Sequence, residues 1–237
     1  MQRLSAIYQI SSLFVDAVLN FIYPPACVIC ESLPDPEKKL ICESCWQKLP
    51  RLLPKDELTT HPIEMGENES NPLLALGVWE FSEEVQTVIH EMKFHGKKSL
   101  SRWLGEEMAR AASQSPEFAS ADALIPVPLH KTKFRERGYN QSLLLAQCVS
   151  KQLDIPVLDQ VLKRVRYTKS QAKLNAVERD KNMHGAFGVF SEELIRGKRI
   201  IVIDDVFTTG ATIKACARQL LNAGAANVLS LTAAKTL

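Results

Sequence analysis

The stretch RIIVIDDVFTTGAT, residues 199–212, places two adjacent carboxylates at the end of an apolar run and follows them at once with threonines, glycine and alanine. Residues 200–203 are apolar at every position, as expected of a strand buried on both faces inside a parallel sheet. A helix is predicted over 211–222, stopped by Gly224. The turn between them lies at the carboxyl end of a strand, where open α/β sheets bind ligands. Thr208, Thr209, Gly210, Ala211 and Thr212 have small side chains or none. Their backbone amides can approach a phosphate closely, and a helix N-terminus favours negative charge. Asp204 and Asp205 sit just upstream. An ionised Asp only accepts hydrogen bonds, so it suits sugar hydroxyls rather than a phosphate. A ribose 5-phosphate satisfies both halves of the motif. The plainer alternative is a βα turn in which Asp and Thr serve only as helix caps.

Working outward, strands alternate with helices from residue 73 onward, which predicts a parallel α/β sheet. Strands are expected at 75–81, 123–128, 186–190, 199–203 and 227–234, with 156–165 mainly extended. Helices are expected at 83–94, 100–112, 139–153 and 211–222, with a short one at 174–182. Residues 54–72, PKDELTTHPIEMGENESNP, hold three prolines, a glycine and no long apolar run, so they read as a linker or loop. The expected organisation is therefore an N-terminal amphipathic helix over 1–23, a cysteine-bearing segment over 24–52, a linker over 53–72 and the α/β domain over 73–237.

The chain has 237 residues, 46% hydrophobic and 24% charged, which is ordinary for a globular protein. A net charge of +2 gives no general positive coat of the kind that binds nucleic acid. The basic residues are instead concentrated. Residues 130–140 hold four Lys/Arg and one acid, and residues 163–181 hold seven and two, so the remainder is net acidic. Two local basic segments point to an anionic ligand. The first follows an apolar strand and offers Lys131, Lys133, Arg135 and Arg137. The second is polar and basic, as a mobile lid would be, and offers Arg166, Gln171, Lys173 and Arg179. For each of these residues a solvated surface role is the competing reading.

Cys27, Cys30, Cys42 and Cys45 form two CxxC pairs with eleven residues between them. Four thiolates in paired turns suit a tetrahedral zinc ion, closed to water and therefore structural. Redox pairs and an iron–sulfur site are the alternatives. Trp46 and Leu49 are expected to cover the site, and Cys148 and Cys216 to be core residues. His90 and His95 are five residues apart, a spacing that does not put both on one helical face. The apolar run at 13–23 is interrupted by Asp16 and Asn20 and is shorter than the roughly 20 residues a membrane span needs. It predicts a helix that docks on protein or on a membrane surface, in a cytoplasmic chain with at most peripheral membrane contact.

The run IDDVFTTGAT resembles the phosphoribosyl diphosphate (PRPP) signature of type I phosphoribosyltransferases. Taken with the CxxC pairs, HEMKFHGKKSLSRWLG at 90–105 and RERGYNQS at 135–142, the chain resembles the ComF (ComFC-like) family over nearly its whole length. The resemblance implies a type I phosphoribosyltransferase-like parallel sheet flanked by helices, with a small N-terminal four-cysteine zinc ribbon. It implies catalytic roles for Asp204 and Asp205 in holding ribose and stabilising developing positive charge. It implies PRPP phosphate binding by Thr208, Thr209, Gly210, Ala211 and Thr212, and pyrophosphate binding after the first core strand by Lys131, Lys133, Arg135 and Arg137. The segment 164–187 takes the place of a flexible catalytic loop, and Mg²⁺ accompanies PRPP. The family is associated with DNA uptake in competent bacteria. Two readings follow: a PRPP-dependent transferase whose acceptor the sequence does not specify, or a non-catalytic module that senses a nucleotide or grips single-stranded DNA beside DNA-uptake machinery.

Overall fold

The computed structural model describes residues 26–34, 40–66, 69–166 and 185–237. The chain divides into two units, residues 1–49 and 50–237. In the first, a turn carries Cys27 and Cys30, and a short helix, α1 (Glu43–Lys48), starts directly after Cys42 and carries Cys45. The helix predicted near the N-terminus and the middle of the spacer between the CxxC pairs lie outside the described residues.

The second unit is built on a five-stranded sheet. Its elements are α2 (Pro54–Glu57), β1 (Leu58–Gly66), β2 (Glu69–Glu80), α3 (Glu83–Phe94), α4 (Leu100–Ser113), α5 (Pro116–Ala119), β3 (Ala123–Pro126), α6 (Lys131–Arg137), α7 (Gln141–Leu153), β4 (Leu162–Arg164), β5 (Phe187–Val189), β6 (Arg199–Phe207), α8 (Ala211–Asn222) and β7 (Asn227–Lys235). The order across the sheet is β1-β2-β7-β6-β3. All pairs are parallel except β1 with β2. β4 and β5 form a separate antiparallel ribbon on either side of the second basic segment.

The apolar pattern explains the layers. Residues 200–203 of β6 are completely buried, so both faces of the sheet must be covered. On one face α7 packs against β3 and β6 and α4 against β2 and β7; on the other, α8 packs against β1, β5, β6 and β7. The buried positions of α7, Ser142, Leu145, Ala146 and Val149, recur at helical spacing. Each aliphatic side chain sealed in this way contributes roughly 1.5–3 kcal/mol. α4 and α7 touch at Gly105, where a Cβ would stand 2.5 Å from the Cβ of Cys148. Cys216 is buried as expected, whereas Cys148 is partly exposed.

Two expectations fail. The segment read as a linker forms α2, β1 and the start of β2, and the second unit begins at residue 50 rather than 73. Its strand pattern was hidden because β1 is an edge strand, which tolerates Pro62. Pro72 lies opposite Pro62, where β2 has passed beyond its register with β7, which starts at Leu74. The first basic segment, where no helix is predicted, is the helix α6, capped by the His130 ring and closed by left-handed Gly138.

Candidate functional site

β6 runs beyond its predicted end, so Asp204 and Asp205 are part of the strand and Phe207 ends it. The chain then turns at Gly210 (φ 73°) into α8. A Cβ on Gly210 would collide with the buried ring of Phe207, so only glycine fits here. Thr209 Oγ1 accepts from the Ala211 amide at 3.4 Å, stapling the turn to the helix.

A cleft of about 420 Å³ opens where this turn meets the ends of β3 and α3. Asp204, Asp205, Thr208, Gly210, Ala211 and Thr212 line it, with Lys133 and Arg137 from α6, Arg164 from β4, and Gln86 and Lys93 from α3. Lys131 and Arg135 do not; they line a neighbouring hollow with Leu129 and Phe134. Helical spacing explains the division. Positions 133 and 137 share one face of α6, and 131 and 135 share another. Thr209 is likewise absent from the cleft lining. Of the residues expected in a lid, Arg166 is exposed beyond β4 and outside the cleft, and Gln171, Lys173 and Arg179 lie outside the described residues.

The acids are held from several elements. Ser142 at the start of α7 donates its hydroxyl to Asp204 Oδ1 at 2.8 Å, and the Asp205 amide donates to the same oxygen at 2.9 Å. Lys93 Nζ lies 2.6 Å from Asp205 Oδ2. Burial, and then the neighbouring Asp205 carboxylate, push the Asp204 carboxyl up to about 7. Lys93, Ser142 and the Asp205 amide pull the other way but lose.

The cations are strained by one another. Burial lowers the Lys133 ammonium, and Arg164, Arg137 and Lys93 lower it further. Burial also lowers the Arg137 guanidinium, against the pull of Asp205 and Asp204. An anion entering the cleft would relieve this repulsion.

The RGYNQS run explains how the parts are registered. Gly138 ends α6. Tyr139 donates its hydroxyl to the Met92 carbonyl, fixing the end of α3 next to Lys93. Asn140 caps α7 and donates to the Val127 carbonyl at 3.0 Å, which ties the helix to the end of β3. Gln141 accepts from Arg137, and Ser142 holds Asp204. Lys93 and Ser142 are site residues that had no role in the sequence reading, and Arg164 lay in the segment 164–187 without being singled out. Lys93 sits inside HEMKFHGKKSLSRWLG, a quoted stretch, but only the fold shows where its ammonium goes.

In the first unit, the four cysteine sulfurs lie within 4.8 Å of one another, with Cys30 Sγ 3.7 Å from Cys42 Sγ. The edge of a tetrahedron with Zn–S bonds of about 2.3 Å is about 3.8 Å, so the set fits zinc. All four thiols are free of disulfides. The Cys42 amide points to Cys27 Sγ at 3.4 Å, and the Ser32 hydroxyl lies 2.9 Å from Cys30 Sγ and draws that thiol down to about 6. These are the outer contacts a bound thiolate uses. Leu49 is buried and Trp46 half-buried.

The chain is 32% identical over 200 residues to the DNA utilization protein YhgH of Shigella flexneri, covering 83% of this chain and 78% of that one. It is 34% identical over 148 residues to competence protein F of Haemophilus influenzae, covering 61% and 65%. The chain belongs to the ComF family. Residues 140–236 match the phosphoribosyl transferase domain and residues 18–56 the double zinc ribbon domain. The type I phosphoribosyltransferase-like sheet and the four-cysteine ribbon of this ComF chain thus stand as expected, the cluster being a structural zinc site. Among solved structures, the glutamine PRPP amidotransferase of B. subtilis aligns with 55% of the ComF chain and 25% of its own at 21% identity and a TM-score of 0.37, too slight to bear on chemistry. No helix among the described residues is long and apolar enough to cross a membrane.

Proposed function

We propose that the cleft binds PRPP or a closely related ribose phosphate, and that the protein supports DNA uptake as a phosphoribosyltransferase-like member of its family. The observation that carries this reading is the convergence of two buried acids, a small-residue turn at a helix N-terminus and four cations on one cleft. The 5-phosphate sits against the turn 208–212, where amides and helix polarity favour it. The ribose hydroxyls donate to Asp204 and Asp205. Lys133 and Arg137, with Arg164, receive the diphosphate; Lys131 and Arg135 are left out of that role. Mg²⁺ fits as a companion of the ligand. The acids are few and Asp205 already has Lys93, so most of its coordination falls to phosphate oxygens and water. In a transferase, these residues would hold the sugar, stabilise departing pyrophosphate and position an acceptor.

A second reading, a non-catalytic module for nucleotides or single-stranded DNA, is favoured by aromatics beside the basic helix. Phe94 is 62% exposed with Arg137 stacked over its ring at 5.0 Å, and Phe134 is 49% exposed. Bases stack on such surfaces. Calorimetry with PRPP and ribose 5-phosphate, with and without Mg²⁺, tests the binding claim. Binding that weakens at least about tenfold in Asp205→Asn is expected, since a hydrogen bond to a charged group is worth ~1.5–3 kcal/mol. No uptake of either compound would overturn it. Release of pyrophosphate with a panel of acceptors separates the transferase from the module.

A further inference from the structure

The last turn of α3 carries a second cluster of metal-ligating side chains, none of which lines the cleft. Five-residue spacing keeps two histidines apart on a continuous helix, but this helix stops at Phe94. His95 is the cap residue (φ −110°, ψ 17°), and Gly96 turns the chain with φ 69°. The His95 ring therefore folds back over the turn it has just left. Its Nδ1 comes within 2.6 Å of Glu91 Oε1, and its ring stands edge-on to His90 with centroids 5.2 Å apart.

We propose that His90, Glu91 and His95 form a second binding site for a divalent first-row transition ion such as zinc, cobalt, nickel or copper. One donor atom from each lies within 4.8 Å of the others. Donors on a tetrahedral ion stand about 3.3 Å apart, so side-chain rotation of the order of 1 Å closes the set. Two imidazoles and one carboxylate select this class of ion over magnesium or calcium, which prefer all-oxygen ligands.

Three features prepare the site. The exposed carbonyls at a helix C-terminus favour a cation. Lys97 Nζ lies 2.8 Å from Glu91 Oε2, which orients the carboxylate and leaves Oε1 toward the histidines. The Phe94 ring lies against His90 at 4.8 Å and restricts its rotation. His90 and His95 are exposed, so an ion enters directly from solvent, and three protein ligands leave coordination positions for water.

The test uses the full chain, stripped of metal and titrated with Co²⁺, with bound metal counted by elemental analysis and followed by absorption. Wild type should bind one ion more than His90→Ala and one more than His95→Ala. The additional ion should add d–d absorption without sulfur-to-cobalt charge transfer. The thiolate band, unchanged in both variants, reports an intact ribbon, and unchanged thermal unfolding of the second unit reports that residues 50–237 remain folded. Equal stoichiometry in wild type and variants, or loss of the ion in only one of the two variants, would overturn the proposal.

Discussion

Asp204 is the residue on which acid–base behaviour turns. Its folded carboxyl stands at about 7, against about 3.9 in an unfolded chain. Between those values the folded state holds the extra proton, so Asp204 lowers stability as pH rises from about 4 to about 7. Relative to Asp204→Asn, wild type should lose of the order of 4 kcal/mol across that window, measured by denaturant unfolding at matched pH. Ribose 5-phosphate should bind more tightly as pH rises through 7, because the ionised carboxylate is the stronger acceptor for a hydroxyl. Asp204→Asn, carrying only the ligand's own phosphate titration, should show a shallower profile. Gly210 gives a second expectation. Gly210→Ala places a methyl against Phe207 at a left-handed φ and should cost ~2 kcal/mol or more in thermal or chemical unfolding. Adding Phe207→Leu should recover part of that, since it removes the clash but not the backbone strain. The two acids and the glycine were legible as chemistry because the motif is local. Lys93 and Ser142 were not, because each reaches the acids from a helix distant in sequence.

α6 shows how an element sorts residues that composition cannot. Four basic residues within seven positions looked equivalent in the chain; as a helix they divide into a cleft-facing pair and an outward pair. Arg137→Ala and Lys133→Ala should each weaken pyrophosphate binding about 10–100-fold by calorimetry. Lys131→Ala and Arg135→Ala should stay within about twofold, as surface charges do. Gly105 measures the packing of α4 on α7. Gly105→Ala should destabilise the domain by ~1–3 kcal/mol, and Cys148→Ala in the same chain should restore little of it, because the Cβ that clashes is still there. Elements with strong apolar period were read almost to the residue, as with α3 and α8. β1 was missed because only Ile63 on it is fully buried and Pro62 interrupts any alternation. α6 was missed because a short helix with no buried residue has no apolar period to show.

In the whole molecule, the ribbon and the sheet are separate compact units with different sources of stability. The sheet unit has a continuous apolar core; the thiols of the first unit, crowded within 4.8 Å, cannot all ionise without a cation among them. Removing zinc with a chelator should raise hydrogen exchange across 26–49 toward unfolded rates while β2, β7, β6 and β3 keep their protection; exchange rising in both units would refute this. The most direct measurement of the central claim is a ligand-bound crystal structure of the cleft. The phosphate of ribose 5-phosphate should be found against the amides of 209–212, with the sugar hydroxyls within hydrogen-bond distance of Asp204 and Asp205. A phosphate seated elsewhere, or hydroxyls turned away from both acids, would contradict it.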